Sequence, residues 1–213
     1  MSLQPERFRA PFITKAAAWA AADKFRAQHW PHGTIPVEVE KLLWPVGLRL
    51  EPIPSLKTSG DVDALLSGDL ARILVDAQEY MDDKMQNRLR FSIAHELGHF
   101  VLHADVFRKI NYASVEEWID FIQRVPDEQY GYIEFQAYEF AGRLLVPLEQ
   151  LQPRFEKAFR AGQRAGFTKW DSSGDAAREY IASNIARDFG VSSEVIEKRI
   201  RREGLITTGR PRT

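Results

Sequence analysis

The sequence predicts an α+β fold: a few short strands, two of them in a hairpin, set among helices, with a pair of helices near the C-terminal end. Two observations lead there. Short apolar runs of strand length, with a turn signal between two of them, fall between residues 48 and 75. Apolar residues at helical spacing, with capping residues at the expected ends, occur before and after that stretch.

Taken in order, residues 14–29 read as a helix, because Thr14 suits an N-cap and Ala16 to Ala22 is rich in the best helix former. Trp19 and Phe25 anchor it, and Pro31, His32 and Gly33 end it. Pro36 suits a first helical turn and predicts a short helix to about Leu43, stopped by Pro45 and Gly47. Leu48 to Ile53 is extended. A Lys57-Thr58-Ser59-Gly60 loop then leads into a hairpin whose arms, 63–66 and 70–75, flank Ser67-Gly68-Asp69. Residues 76–87 are polar and read as surface loop.

Residues 88–103 form the next predicted helix, with Leu89, Ile93, Leu97 and Phe100 facing a core. Ser114-Val115-Glu116-Glu117 matches a capping box and starts a helix over 115–124, ended by Pro126. Its apolar face, Trp118, Phe121 and Ile122, reads as packing surface or as the wall of a cleft. Residues 133–146 follow as a helix striped by Ala137, Phe140, Ala141, Leu144 and Leu145, broken by Pro147. The stretch 152–174 carries Gly162, Gly166 and Gly174 and reads as loop-rich. Asp175 to Phe189 is a helix closed by Gly190, and Ser192 caps a last one to about Glu203. The expected divisions are an N-terminal helical extension (1–34), a core (35–152), a C-terminal helical region (153–206) and a flexible tail (207–213).

Composition narrows the function classes. A net charge of −1 over 213 residues gives no global case for nucleic-acid binding. With no cysteine, disulfides, thiolate metal sites and cysteine nucleophiles are excluded together. The first ten residues lack the apolar centre of a signal peptide, and no run is long and apolar enough for a membrane span, so the expectation is a soluble cytoplasmic protein.

The chemistry concentrates in His95-Glu96-Leu97-Gly98-His99. Side chains four apart share a helix face, so His95 and His99 can reach one Zn²⁺ ion. Glu96 projects about 100° away, where it cannot easily join them but can flank a metal-bound water as general base. A catalytic zinc needs a third protein ligand. No histidine follows His103, and three ligands in line along one straight helix fit a tetrahedral ion poorly, so His103 reads as a residue supporting a ligand or as an oxyanion donor. Asp105 stands where another arrangement would place a third ligand, but Leu102 replaces the glycine that turn requires. An N-terminal histidine, His29 or His32, brought in by folding is a further option; of the glutamates Glu134 and Glu139, Glu134 is favoured because it shares a face with Ala137 and Ala141, small residues that let two helices approach. The competing reading makes both glutamates first-turn charges favoured by the helix dipole.

Two blocks, Arg90-Phe91-Ser92-Ile93-Ala94-His95-Glu96-Leu97-Gly98-His99-Phe100-Val101-Leu102-His103 and Glu134-Phe135-Gln136-Ala137-Tyr138-Glu139-Phe140-Ala141-Gly142-Arg143-Leu144-Leu145-Val146-Pro147, together resemble the ImmA/IrrE metallopeptidase family over about residues 35–202. The resemblance implies a zincin-like α+β fold with a small, mostly antiparallel sheet packed against the metal-binding helix, zinc on His95, His99 and Glu134, Glu96 as the catalytic residue, and cleavage of an intracellular regulator such as a helix-turn-helix repressor. Tyr138 replaces an asparagine common in the family, so a hydrogen bond to a ligand is lost or remade there. Tyr112, Tyr130, Tyr132, Tyr138 and His103 are the possible oxyanion donors. The strand Leu70 to Val75 is either an edge that receives an extended peptide or an ordinary core strand. The alternatives to an active peptidase are a catalytically inactive metal-binding protein and a DNA-associated protein using Lys198, Arg199, Arg201 and Arg202; direct nucleic-acid binding is not expected.

Overall fold

Thr14 accepts the Ala17 N–H and opens α1 (Lys15–His29), which buries Ala18, Ala22 and Phe25. The computed structural model describes residues 3–60, 62–164 and 175–205. Instead of the expected helix over 36–43, two 3-10 turns cover Val39–Leu42 and Trp44–Val46. The Lys41 and Leu43 N–H groups bond three residues back, to the Glu38 and Glu40 carbonyls, the tighter 3-10 pattern.

The sheet contains β1 (Arg49–Ile53), β2 (Ala64–Leu66) and β3 (Arg72–Asp76) in the order β1-β3-β2. The β2–β3 hairpin is antiparallel, with Leu65 opposite Leu74, as its turn residues predict. β1 runs parallel to β3, with Leu50 opposite Ile73, so the sheet is mixed and not mostly antiparallel. The chain crosses from β1 through the short helix α2 (Leu56–Gly60), where a loop was expected, before the hairpin returns beside it. A crossover of that kind produces a parallel pair. β3 lies between two partners, so of the two readings of Leu70–Val75 the ordinary core strand holds and the peptide-accepting edge does not.

The stretch expected to be loop after β3 contains α3 (Ala77–Met81), because the buried Asp76 caps it by accepting the Gln78 and Glu79 N–H groups. The central helix α4 (Gln86–Ile110) is longer than predicted, since buried Phe107 and Ile110 extend its apolar face. It ends at Asn111 in the left-handed conformation. α5 (Val115–Arg124) keeps the predicted bounds, with the Ser114 side chain accepting the Glu117 N–H. Buried Trp118 and Phe121 make it a packing helix, and Phe8 of the N-terminal segment meets Phe121 edge-on.

α6 (Asp127–Leu145) starts directly after Pro126, well before the expected residue 133. Asp127 and Glu128 occupy its first turn. α7 (Leu148–Arg164) is helical where loop was expected, because Leu151 and Phe155 bury against the core; residues 165–174 of that stretch lie outside the described residues. α8 (Asp175–Phe189) and α9 (Ser193–Arg202) match the predicted C-terminal pair, and Ser192 caps the second. The expected tail, 207–213, lies outside the described residues.

α4 packs along α6 on one side and against β2 and β3 on the other. α1 covers the outer side of α6, and α9 reaches it near Gly142. Polar contacts fix this junction: buried Glu139 accepts from Trp19 Nε1 at 2.7 Å and pairs with Arg202 at 2.6 Å, while Arg143 bridges Asp23 and Glu203. Among the described residues, no helix is long and apolar enough to cross a membrane.

Candidate metal centre

The register of α4 is set by Leu89, Ile93 and Leu97, which are buried in the core. That register turns His95 and His99 towards α6, with their Nε2 atoms 3.0 Å apart. Glu134, in the interior of α6, answers from across the groove. Its Oε2 lies 3.1 Å from His95 Nε2 and its Oε1 lies 3.3 Å from His99 Nε2. Since Glu134 is not in the first turn, the helix-dipole account of its position does not apply.

The close approach of the two helices depends on Gly98. A Cβ there would stand 3.1 Å from the Ala137 carbonyl oxygen and 3.2 Å from its Cα. The small pair Gly98 and Ala137 lets the carboxylate reach both imidazoles.

His95, His99 and Glu134 each offer one ligand atom, all within 4.8 Å of one another. For bonds of about 2.0–2.1 Å, the edge of a tetrahedron is about 3.3–3.4 Å, close to the three spacings seen. Two imidazole nitrogens and a carboxylate facing one point are a donor set that fits a divalent metal. Without one, burial disfavours a charge on His95, but the bonded Glu134 and nearby Glu96 raise its pKa above the usual value. Burial opposes ionisation of Glu134 as well, yet the hydrogen bond with His95 and the closeness of His99 hold its pKa well below the carboxylate range.

Glu96 leaves the opposite side of the groove and is buried against the sheet. Its Oε2 accepts the Leu66 N–H of β2 at 2.8 Å. Burial raises its pKa, and His99 and His95 partly offset that. The Leu66 carbonyl in turn accepts a hydrogen bond from the Tyr112 hydroxyl. Tyr130, one turn before Glu134 on α6, hydrogen-bonds that carboxylate; burial, then Glu134 and Glu96, push its phenol pKa up, so it stays protonated.

His103 is buried one turn beyond His99, with Nδ1 3.1 Å from His99 Nδ1 and Nε2 2.7 Å from Gln136 Oε1. Its pKa is lowered to about 3 by burial, then by His99. The other candidates fall elsewhere. Asp105 is exposed and pairs with Arg108. Tyr138 packs on Phe91 with Lys198 over its ring, and Glu139 belongs to the α1–α9 junction. Lys198, Arg199 and Arg202, which a DNA-reading helix would present outward, pair with Glu194, Glu203 and Glu139.

Sequence reasoning missed the Leu66 N–H and Gln136. Nothing local marks a backbone amide of one strand as the partner of a helix carboxylate. Gln136 lies two positions past Glu134, and its sole clue is that a buried His103 needs an acceptor.

No curated protein matches the chain. A family model does: that of the M78 peptidases, described as the IrrE N-terminal-like domain, matches residues 80–201. The matched span runs from α3 to α9, takes in both helices that face the groove, and covers more than half of the sequence, so the chain belongs to the M78 peptidase family of IrrE N-terminal-like domains.

Proposed function

We propose that the chain is a zinc-dependent endopeptidase in which His95, His99 and Glu134 hold the metal and Glu96 is the general base. The observation that carries this reading is the meeting of those three ligand atoms from two helices beside a buried carboxylate. Two neutral imidazoles and one carboxylate are a ligand set of catalytic zinc sites that leave a position open for substrate. A zinc ion bound there would supply Lewis acidity to a scissile carbonyl and lower the pKa of an attacking water towards ~7.

The protein's own groups do the rest. The Leu66 N–H holds Glu96 Oε2 and leaves Oε1 for the proposed proton transfer. Burial raises the basicity of Glu96, which suits it to take a proton from water and return it to the leaving amine. Tyr130 stays protonated beside Glu134, and we propose it as the phenol that turns to the developing oxyanion. The proposed substrate is an intracellular regulatory protein of the helix-turn-helix repressor class, following the family resemblance.

The test starts with bound metal after dialysis, in the parent and in Glu134→Ala. The parent is expected to hold one zinc per chain and the variant to lose it. The loaded parent is then mixed with candidate repressors, and new termini are read by mass spectrometry against Glu96→Gln. A parent that takes up no metal, or cleavage that survives in Glu96→Gln, defeats the proposal.

A further inference from the structure

We propose that a one-way chain of hydrogen bonds, starting at the Pro11 carbonyl, fixes the tautomer in which His99 meets the metal. The N-terminal segment, outside the matched residues 80–201, thereby becomes a positioning element of the centre. The inference rests on the reading of His99 as a ligand.

With both imidazoles neutral, each link has only one possible polarity. A backbone carbonyl can only accept, so the Pro11 oxygen, 2.9 Å from Gln136 Nε2, takes a proton from the amide nitrogen. Reversing the amide would set two oxygens against each other. Gln136 Oε1 therefore points the other way, 2.7 Å from His103 Nε2. That oxygen also only accepts, so the proton sits on His103 Nε2. A neutral imidazole then carries its lone pair on Nδ1. This atom lies 3.1 Å from His99 Nδ1, which must donate to it. A neutral His99, the form that can bind a metal, is then left with its lone pair on Nε2, the atom 3.3 Å from Glu134 Oε1 and 3.0 Å from His95 Nε2, whose proton it can accept. A ligand histidine whose other nitrogen donates to a fixed acceptor is held in both tautomer and ring orientation.

The starting point is itself anchored. The Ala10 N–H donates to Gln129 Oε1 at 2.9 Å, Phe8 is buried against Phe121, and the Leu3 N–H donates to the Lys109 carbonyl at 3.1 Å. The segment thus spans α4, α5 and α6, and its Pro11 carbonyl is held from both the α6 side and the preceding residues. Gln136 and His103 act through His99, which makes them positioning residues.

The experiment uses the full chain, metal-free, with ¹⁵N-labelled histidine, in the parent, Gln136→Glu and Gln136→Met. Glutamate, protonated at this buried position, keeps both an acceptor towards His103 and a donor towards the Pro11 carbonyl; methionine keeps the shape and offers neither. Long-range ¹H–¹⁵N spectra report which ring nitrogen carries the proton, and zinc affinity is measured by competition with a chelator. The expected parent pattern is His99 protonated on Nδ1 and His103 on Nε2, retained in Gln136→Glu. Gln136→Met is expected to lose that ordering and to bind zinc about 10- to 100-fold more weakly. A parent His99 protonated on Nε2, or a Gln136→Met variant with parental spectra and zinc affinity, overturns the inference. The expected tautomers in a parent that fails to bind zinc would support the chain of bonds and defeat the peptidase reading instead.

Discussion

Replacing Gly98 by alanine tests whether the closeness of α4 and α6 builds the metal centre. The new Cβ would meet the Ala137 carbonyl oxygen at 3.1 Å, its Cα at 3.2 Å and Phe140 Cδ1 at 3.2 Å. Comfortable carbon contacts lie near 3.5–4.0 Å, so the helices must part by roughly 0.3–0.5 Å. The obstacle is helix backbone and a fully buried ring, neither of which can swing aside. Overpacking of this kind costs about 1–3 kcal/mol. The gain in helix propensity from glycine to alanine returns about 1 kcal/mol. The net change is a loss of about 0–2 kcal/mol, measurable by urea unfolding of the metal-free chain. Metal binding should suffer more, because α6 carries Glu134 one turn from the contact and ligand distances tolerate only about 0.2 Å. The expected zinc affinity, from chelator competition, falls at least tenfold while the fold survives. An alanine variant that binds zinc as tightly as the parent would refute the idea that this contact sets the ligand spacing.

Other perturbations bear on separate parts of the molecule. Glu96→Gln should retain metal within a few-fold while peptide hydrolysis falls by roughly 10²–10⁴, as for loss of a general base; an equal fall in metal content would mean that Glu96 shapes the site instead. Asp76→Ala removes a buried carboxylate that accepts N–H bonds from Lys57, Gln78 and Glu79, and should cost about 2 kcal/mol or more by urea unfolding. Those bonds, the one from Lys57 foremost, hold the Asp76 pKa below its ordinary 3.8, against the effect of burial. Its contribution is therefore complete above that value and drains away as pH falls through the lower folded-state pKa. The parent should lose its advantage over Asp76→Ala only in that acid range, and a gap that stays constant down to pH 2 would contradict this. Glu139→Gln leaves Arg202 and Trp19 without a carboxylate. Because Arg202 is about one-third exposed and can rehydrate, the expected cost is about 1–3 kcal/mol, less than for a fully buried pair, with faster amide exchange in α1 and α9.

The sequence by itself determined the local features. Thr14, Ser114 and Ser192 announce helix starts because a side-chain oxygen satisfies an N–H within a few residues, and all three do so in the structure. The spacing of Leu89, Ile93 and Leu97 set the face of α4 and, with it, the common side of His95 and His99. The turn at Ser67-Gly68-Asp69 marked the hairpin for the same reason: its information lies inside one short stretch. The small face of Glu134, Ala137 and Ala141 also pointed correctly at a helix that could come close.

The tertiary structure decided what depends on partners far apart in the chain. The parallel pairing of β1 with β3 follows from a crossover that composition does not encode, and it closes the edge at Leu70–Val75. The starts of α6 and the course of α7 were obscured by glycines and prolines whose local cost is outweighed by burial of Ile133, Leu151 and Phe155. The Leu66 N–H reaches Glu96 from 30 residues away, and the Pro11 carbonyl reaches Gln136 from 125. A hydrogen bond requires only that two groups of the right polarity meet within about 3 Å. Helical or strand periodicity records the side a residue faces, whereas the group waiting on that side is chosen by how the whole chain packs.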